Sequence, residues 1–109
     1  MNDTGRISIA AVVVTHNRLE KLKRSIDCIL PQKVHAIFVV DNASTDGTAD
    51  WLKNFNDERL RICSLEENIG GAGGFYAGIK LAIESTECDW VCCFDDDAYA
   101  DNSLIDTFR

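Results

Sequence analysis

The most constraining stretch of this 109-residue sequence is W-V-C-C-F-D-D-D-A-Y-A-D, residues 90–101, where an apolar run stops at three consecutive carboxylates. Apolar runs of this length suit a strand of a parallel sheet covered on both faces, which excludes polar residues until it ends. Asp95, Asp96 and Asp97 then fall together at a strand's C-terminal edge, where open α/β sheets take their ligands. Adjacent like charges repel, so the triplet needs water, hydrogen-bond donors or a cation to neutralise it. A divalent cation with oxygen ligands, and the phosphate such an ion brings, is one solution. A solvated acidic turn is the other.

The rest of the chain alternates. Residues 7–14, I-S-I-A-A-V-V-V, are β-branched and uncharged, and predict a buried central strand. It gives way to Thr15-His16-Asn17-Arg18, with Asn17 placed as a helix N-cap and Glu20 as its capping-box partner. Leu19, Leu22, Ile26, Ile29 and Leu30 follow at helical spacing until Pro31 stops the helix. Residues 36–40, A-I-F-V-V, predict a second buried strand ending at Asp41, followed by the turn-forming D-N-A-S-T-D-G-T. A helix over 48–55 would carry Trp51, Leu52 and Phe55 inward, and a weaker strand spans 60–65. The run G-G-A-G-G, residues 70–74, reads as a loop opening a helix over 75–84 with Phe75, Ile79, Ala82 and Ile83 as its apolar stripe. The strand over 90–94 closes the series, and Asn102 or Ser103 is placed to cap one more helix, barely a turn of which is present before Arg109.

The order β-α-β-α-β-α-β defines an α/β fold with a parallel sheet and right-handed crossovers. One domain is expected, with strand order 3-2-1-4, half of a doubly wound sheet. That order gathers Thr15 to Arg18, Asp41, the glycine run and Asp95 to Asp97 at one sheet edge.

Composition excludes several functions. A net charge of −7 argues against binding nucleic acid by phosphate neutralisation. No window approaches a membrane span, and the N-terminus M-N-D-T-G-R lacks the pattern of a secretory signal. The five cysteines include no C-x-x-C pair, so they read as small buried hydrophobes in a reducing cytoplasm rather than a zinc or disulfide framework.

Each candidate site residue has two readings. Asp41 at a strand end can accept hydrogen bonds from a ribose or base, or simply organise the turn that follows. The glycine run can present amides to an anion at a helix start, or be a flexible connection. It fails the dinucleotide fingerprint, because Tyr76 stands where a third glycine is needed, and no G-K-[ST] of a P-loop occurs. His16 can pack its ring against a base, or play a structural part. His35 lies at the opposite sheet edge and has no assigned role.

Taken in order, V-V-V-T-H-N-R, V-V-D-N-A-S-T-D-G-T, E-N-I-G-G-A-G-G-F and F-D-D-D-A resemble the successive signatures of family 2 glycosyltransferases. The glycine run and D-D-D-A are most similar to the galactofuranosyl- and rhamnosyltransferase-like branch. The resemblance covers residues 7–101 and implies the nucleotide-binding half of a glycosyltransferase A-type, Rossmann-like fold. It implies that Thr15, Asn17 and Arg18 flank the nucleobase and that Asp41 contacts base or ribose; His16, between them, is a nucleotide-binding candidate on its own reading above. Asn68 and Gly71 would form the wall beside the nucleotide. Asp95 and Asp97, as the D-x-D motif, would hold Mn2+ or Mg2+ on the diphosphate, with Asp96 near the ribose or donor sugar. The implied reaction is inverting transfer from a UDP- or dTDP-linked sugar to a glycan or lipid-linked acceptor hydroxyl. The implied location is cytoplasmic, peripheral to the inner face of the membrane.

In this family the catalytic base is an Asp or Glu well past the D-x-D. No residue of this chain matches it, so the base is expected beyond Arg109 and the chain reads as shorter than a full glycosyltransferase. A half-sheet of this kind would leave its fourth strand as an edge open to self-association. The rival reading is a non-catalytic nucleotide-binding or interaction domain derived from such an enzyme. A phospho-acceptor receiver domain needs an acidic pair after the first strand, where Thr15-His16 stand.

Overall fold

The computed structural model describes residues 7–97. Two expectations fall outside those residues: the helix to be capped by Asn102 or Ser103, and Arg109 as the point beyond which the catalytic base is expected. The elements follow as β1 (Ile9–Thr15), α1 (Leu19–Ile29), β2 (Ala36–Asn42), α2 (Thr48–Lys53), β3 (Leu60–Leu65), α3 (Gly70–Ser85) and β4 (Trp90–Asp95). The sheet has four strands in the order β3-β2-β1-β4, and every pairing is parallel. The fold class, strand order and element sequence are those expected from the chain.

Alternation along β1 and β2 divides the core in two. Ile9, Ala11 and Val13 of β1 and Ile37 and Val39 of β2 meet Leu22, Ile26 and Ile29 of α1 and Leu52 of α2. On the opposite face Ala10, Val12, Phe38 and Val40 meet Ala82 of α3. Burying each of the larger side chains contributes roughly 1.5–3 kcal/mol relative to leaving it exposed. The end of α1 is closed from a distance. Arg59 donates to the carbonyls of Leu30 (2.8 Å), Gln32 (3.2 Å) and Val34 (3.4 Å) while its Nη2 pairs with Asp57 at 3.1 Å. The planar guanidinium thus caps the Leu30 carbonyl at the end of α1 and ties down the turn that follows it.

Four local expectations are corrected. Asn17 does not cap α1. It sits in the left-handed region at φ 51°, and the Leu19 amide donates instead to Asp46 Oδ2 at 3.1 Å. Glu20 pairs with Lys23 rather than reaching back in a capping box. Helix α2 ends at Lys53, short of Phe55. The glycine run is no loop: it forms the opening of α3. The buried face of α3 is Gly74, Gly78 and Ala82, spaced four apart, and Ile83 is 67% exposed. Small residues face the sheet because the helix lies too close for anything larger; a Cβ on Gly78 would fall 2.5 Å from Val12 Cγ1.

β4 is likewise less covered than its apolar sequence suggests. Among the described residues it pairs only with β1, Trp90 is 60% exposed, and Phe94 is its one buried apolar side chain. All five cysteines are free, but none is fully buried as expected: four are partly buried at the margins of the sheet and helices, and Cys93 on the edge strand β4 is exposed. Partial burial pushes the Cys92 and Cys93 thiols up, so both stay protonated at neutral pH.

Candidate functional site

Register creates the site. Thr15 lies opposite Asp41 and Val14 opposite Asp95, so three strands finish at one level. Beyond their ends, across from the start of α3, lies a crevice of about 300 Å3. Thr15 lines it from the end of β1, His16 and Arg18 from the segment that follows, and Asn42 from the end of β2. Asn68, Gly70, Gly71 and Phe75 line it from the start of α3, and Asp95 and Asp96 from the end of β4. Seven of the sequence-predicted residues therefore converge: Thr15, His16, Arg18, Asn68, Gly71, Asp95 and Asp96.

The acidic triplet is not three equivalent groups. Asp96 is buried, 6% exposed, and its Oδ2 accepts a hydrogen bond from the buried Thr15 hydroxyl at 3.0 Å. Arg18 Nη1 lies 3.5 Å from Asp96 Oδ1 and 3.6 Å from Asp97 Oδ2. Asp95 and Asp97 are exposed on either side. They are hard oxygen donors of the kind a divalent cation takes. Among the described residues no group of three His, Cys, Asp or Glu side chains converges to hold a metal ion. Asp95 and Asp97 are the right donor type for a hard cation, which would have to draw its remaining ligands from water and phosphate oxygens, as Mg2+ commonly does. They do not form a closed protein cage.

Three predicted residues are not among those lining the crevice. Asp41 is 3% exposed, and its Oδ1 accepts from the Ser44 amide at 3.0 Å, the turn-organising arrangement open to an Asp at that position. The Asn17 side-chain oxygen accepts from the Thr45 amide at 2.6 Å, and its amide nitrogen faces His16 Nε2 at 3.3 Å. Asp97 is half-exposed beside Arg18. His16 Nδ1 lies 2.6 Å from the Asn42 carbonyl. A carbonyl only accepts, so Nδ1 carries the proton, and Nε2 takes the hydrogen offered by Asn17. The base expected beyond Arg109 has no counterpart among the described residues of the crevice.

The residue that sequence reasoning missed is Asn42. It is 2% exposed. Its Oδ1 accepts from the Ile69 amide at 2.9 Å, and its Nδ2 donates to the Gly70 carbonyl at 3.0 Å. Together with its carbonyl contact to His16, Asn42 ties two other crevice segments, the one after β1 and the start of α3, to the end of β2. The available signal was an amide side chain at the last position of a buried strand, where no apolar pattern calls for one. Asn68 completes the start of α3, its Oδ1 accepting from the Gly70 amide at 2.9 Å. Asp46 was also missed as the group receiving the α1 amide. The Thr48 hydroxyl, followed by backbone amides, holds its carboxyl below the usual aspartate value.

A strand-end crevice with an acidic turn on one side and a glycine-rich helix start on the other lies where open α/β sheets take their ligands. The sequence model of Glycosyl transferase family 2 matches residues 10–107, and the chain belongs to that family. It is 35% identical over 102 residues to galactofuranosyltransferase GlfT1 of Mycolicibacterium smegmatis, covering 91% of this chain and 33% of that protein. It is 33% identical over 101 residues to GlfT1 of Mycobacterium tuberculosis, covering 90% and 33%. Among solved structures it resembles the mannosyltransferase PcManGT of Pyrobaculum calidifontis in complex with GDP-Man and Mn2+. That match has a TM-score of 0.71 at 25% identity, over 92% of this chain and 30% of that one. S. aureus TarS 1-349 shares the fold with a TM-score of 0.75 at 23% identity, over 94% and 31%. The fold is the nucleotide-binding half of the glycosyltransferase A type, and the chain spans about a third of the length of these relatives.

Proposed function

We propose that this chain binds the nucleoside-diphosphate part of a sugar donor and forms the donor side of an inverting, metal-assisted glycosyltransferase. The observation that carries the reading is the convergence of Thr15, His16, Arg18, Asn68, Gly71, Asp95 and Asp96 on one crevice from four separate segments. In this reading the base lies toward the His16 and Asn68 walls, and the diphosphate lies between the start of α3 and the acidic turn. A divalent cation, Mn2+ or Mg2+, held by Asp95 and Asp97 would offset the charge that develops on the departing diphosphate. Thr15 positions Asp96, and Asp41 and Asn17 hold the walls from behind. The group that activates the acceptor is assigned to a segment beyond Arg109. The proposed donor is UDP- or dTDP-linked and the proposed acceptor a glycan or lipid-linked hydroxyl, with the chain acting peripherally at the inner face of the cytoplasmic membrane. Among the described residues no helix is long and apolar enough to cross a membrane. The outer edge of β4, with Trp90 60% exposed, is proposed to pair with a second copy. Light scattering that shows a monomer at high concentration would refute that pairing.

Calorimetric titration tests the donor site. UDP, dTDP and GDP are titrated with and without Mn2+ into the wild type and Asp97→Ala. The reading expects binding that needs the metal and is lost in the variant. A folded sample that binds no nucleotide would refute it. The rival reading is a non-catalytic nucleotide-binding or interaction domain derived from such an enzyme. Transfer of labelled sugar by the wild type, absent in Asp97→Ala, would exclude the rival.

A further inference from the structure

The resemblance places Arg18 beside the nucleobase, yet the structure puts its guanidinium at the acidic turn. Its Nη1 lies between Asp96 Oδ1 at 3.5 Å and Asp97 Oδ2 at 3.6 Å. The two carboxylates differ. The Asp96 side chain is 8% exposed and already holds the Thr15 hydroxyl, whereas that of Asp97 is 48% exposed. Arg18 is itself 52% exposed, so its head can leave the turn by rotation of its own side chain.

We infer that Arg18 is the resident counter-ion of the acidic turn, and that its pairing with Asp97 and a divalent cation on Asp95 and Asp97 exclude one another. Three adjacent carboxylates, one of them buried, need positive charge close by when no cation is present. A divalent cation drawing on Asp97 brings two further positive charges within a few ångströms of the guanidinium, and like charges at that separation repel even through a partly aqueous medium. Cation arrival therefore releases a planar, five-donor group at the rim of the crevice, where it fits the oxygens of a diphosphate. Arg18 is thus a positioning residue that serves the turn first and the donor second. The proposal rests on the donor-site reading above.

Two experiments on the whole chain separate it from that reading. The first is a double-mutant cycle in chelator, with no metal or nucleotide, on Arg18→Met and Asp97→Asn. The expected result is that Arg18→Met lowers the melting temperature by a few degrees and that Asp97→Asn restores it in that background. Additive effects would overturn the counter-ion role. The second measures Mn2+ binding to the nucleotide-free chain by paramagnetic resonance, then UDP binding at saturating Mn2+. Arg18→Met should bind Mn2+ about two- to fivefold more tightly, the range set by a partly exposed ion pair, and bind UDP more weakly. Lys21→Met, which removes one positive charge from the first turn of α1 just after Arg18, should move neither by as much. Equal or weaker Mn2+ binding by Arg18→Met would overturn the exclusion, as would equal effects of the two variants. Should the wild type bind neither Mn2+ nor nucleotide, the donor-site reading and the exclusion fall together, while the chelator cycle still decides the ion pair.

Discussion

Substituting alanine for glycine at two positions of α3 should have opposite consequences. In a helix interior Ala is favoured over Gly by about 0.8–1 kcal/mol, so with nothing else in play the change at Gly78 would stabilise, and that at Gly71, in the first turn of α3, would do so by less. At Gly71 a Cβ meets nothing within 4 Å. At Gly78 it would lie 2.5 Å from Val12 Cγ1 and 2.8 Å from Val40 Cγ2, against an ordinary carbon contact of about 3.5–4.0 Å. Both valines are fully buried on the two central strands, and β-branching restricts the rotamers open to them. The helix must therefore lift from the sheet by about 1 Å, which takes Ala82 away from its partners on β1 and β2. Overpacking of this kind costs about 1–3 kcal/mol, and with neither neighbour able to yield the upper part of that range applies. After subtracting the propensity gain, Gly78→Ala should lose roughly 1–2 kcal/mol, a fall in melting temperature of about 5–15 °C for a domain of this size. Gly71→Ala should be unchanged or a few degrees higher. Calorimetry on the two variants and the wild type decides it. A Gly78→Ala protein as stable as Gly71→Ala would show that α3 does not sit against Val12 and Val40 as described.

Two further outcomes follow from the polar framework. Asn42→Asp keeps the acceptor for Ile69 but sets an oxygen against the Gly70 carbonyl and buries a charge, so it should lose roughly 2–4 kcal/mol in urea denaturation. Asn42→Ala, which only removes the two bonds, should lose less; the reverse ranking would contradict the assigned orientation of the amide. The carboxyls of Asp46 and Asp57 lie below their ordinary value of 3.8, held there first by the Thr48 hydroxyl and the Arg59 side chain respectively. The unfolded chain therefore binds more protons in acid, and the stability these groups contribute is present above pH 3.8 and lost as pH falls through their lower folded values. Asp46→Asn combined with Asp57→Asn should flatten the acid limb of melting temperature between about pH 5 and about pH 3, and a limb of unchanged slope would count against both assignments.

The contrast between what the sequence disclosed and what it concealed follows from which forces leave a pattern. Strands β1 and β2 were legible because burial on both faces excludes every polar residue, and that exclusion is written as an unbroken apolar run. The alternation of strand and helix then fixed strand order, and strand order alone gathered the ends of β1, β2 and β4. Most of the crevice was therefore legible before any side chain was placed. Helix α3 was misread at its start and on its face for one reason. A helix that packs closest presents its smallest residues, so the contact with Val12, Val14 and Val40 is marked by Gly74 and Gly78, which no apolar stripe can register. Asp41 and Asn17 carry turn contacts that their place in the sequence did not single out, because turn chemistry and ligand chemistry use the same side chains, and Ser44 and Thr45 supply an amide in each case. Asn42 escaped for the complementary reason. Its partners, Ile69 and Gly70, lie 27 and 28 residues away, and a hydrogen bond between a side chain and a distant backbone leaves no periodicity in either segment. Arg18 shows the same limit in the charged groups. Its place in the sequence suggests a base contact, but its partner is set by how far β4 runs past β1. The register that puts Val14 opposite Asp95 brings Asp96 to Thr15 and leaves the guanidinium facing carboxylates.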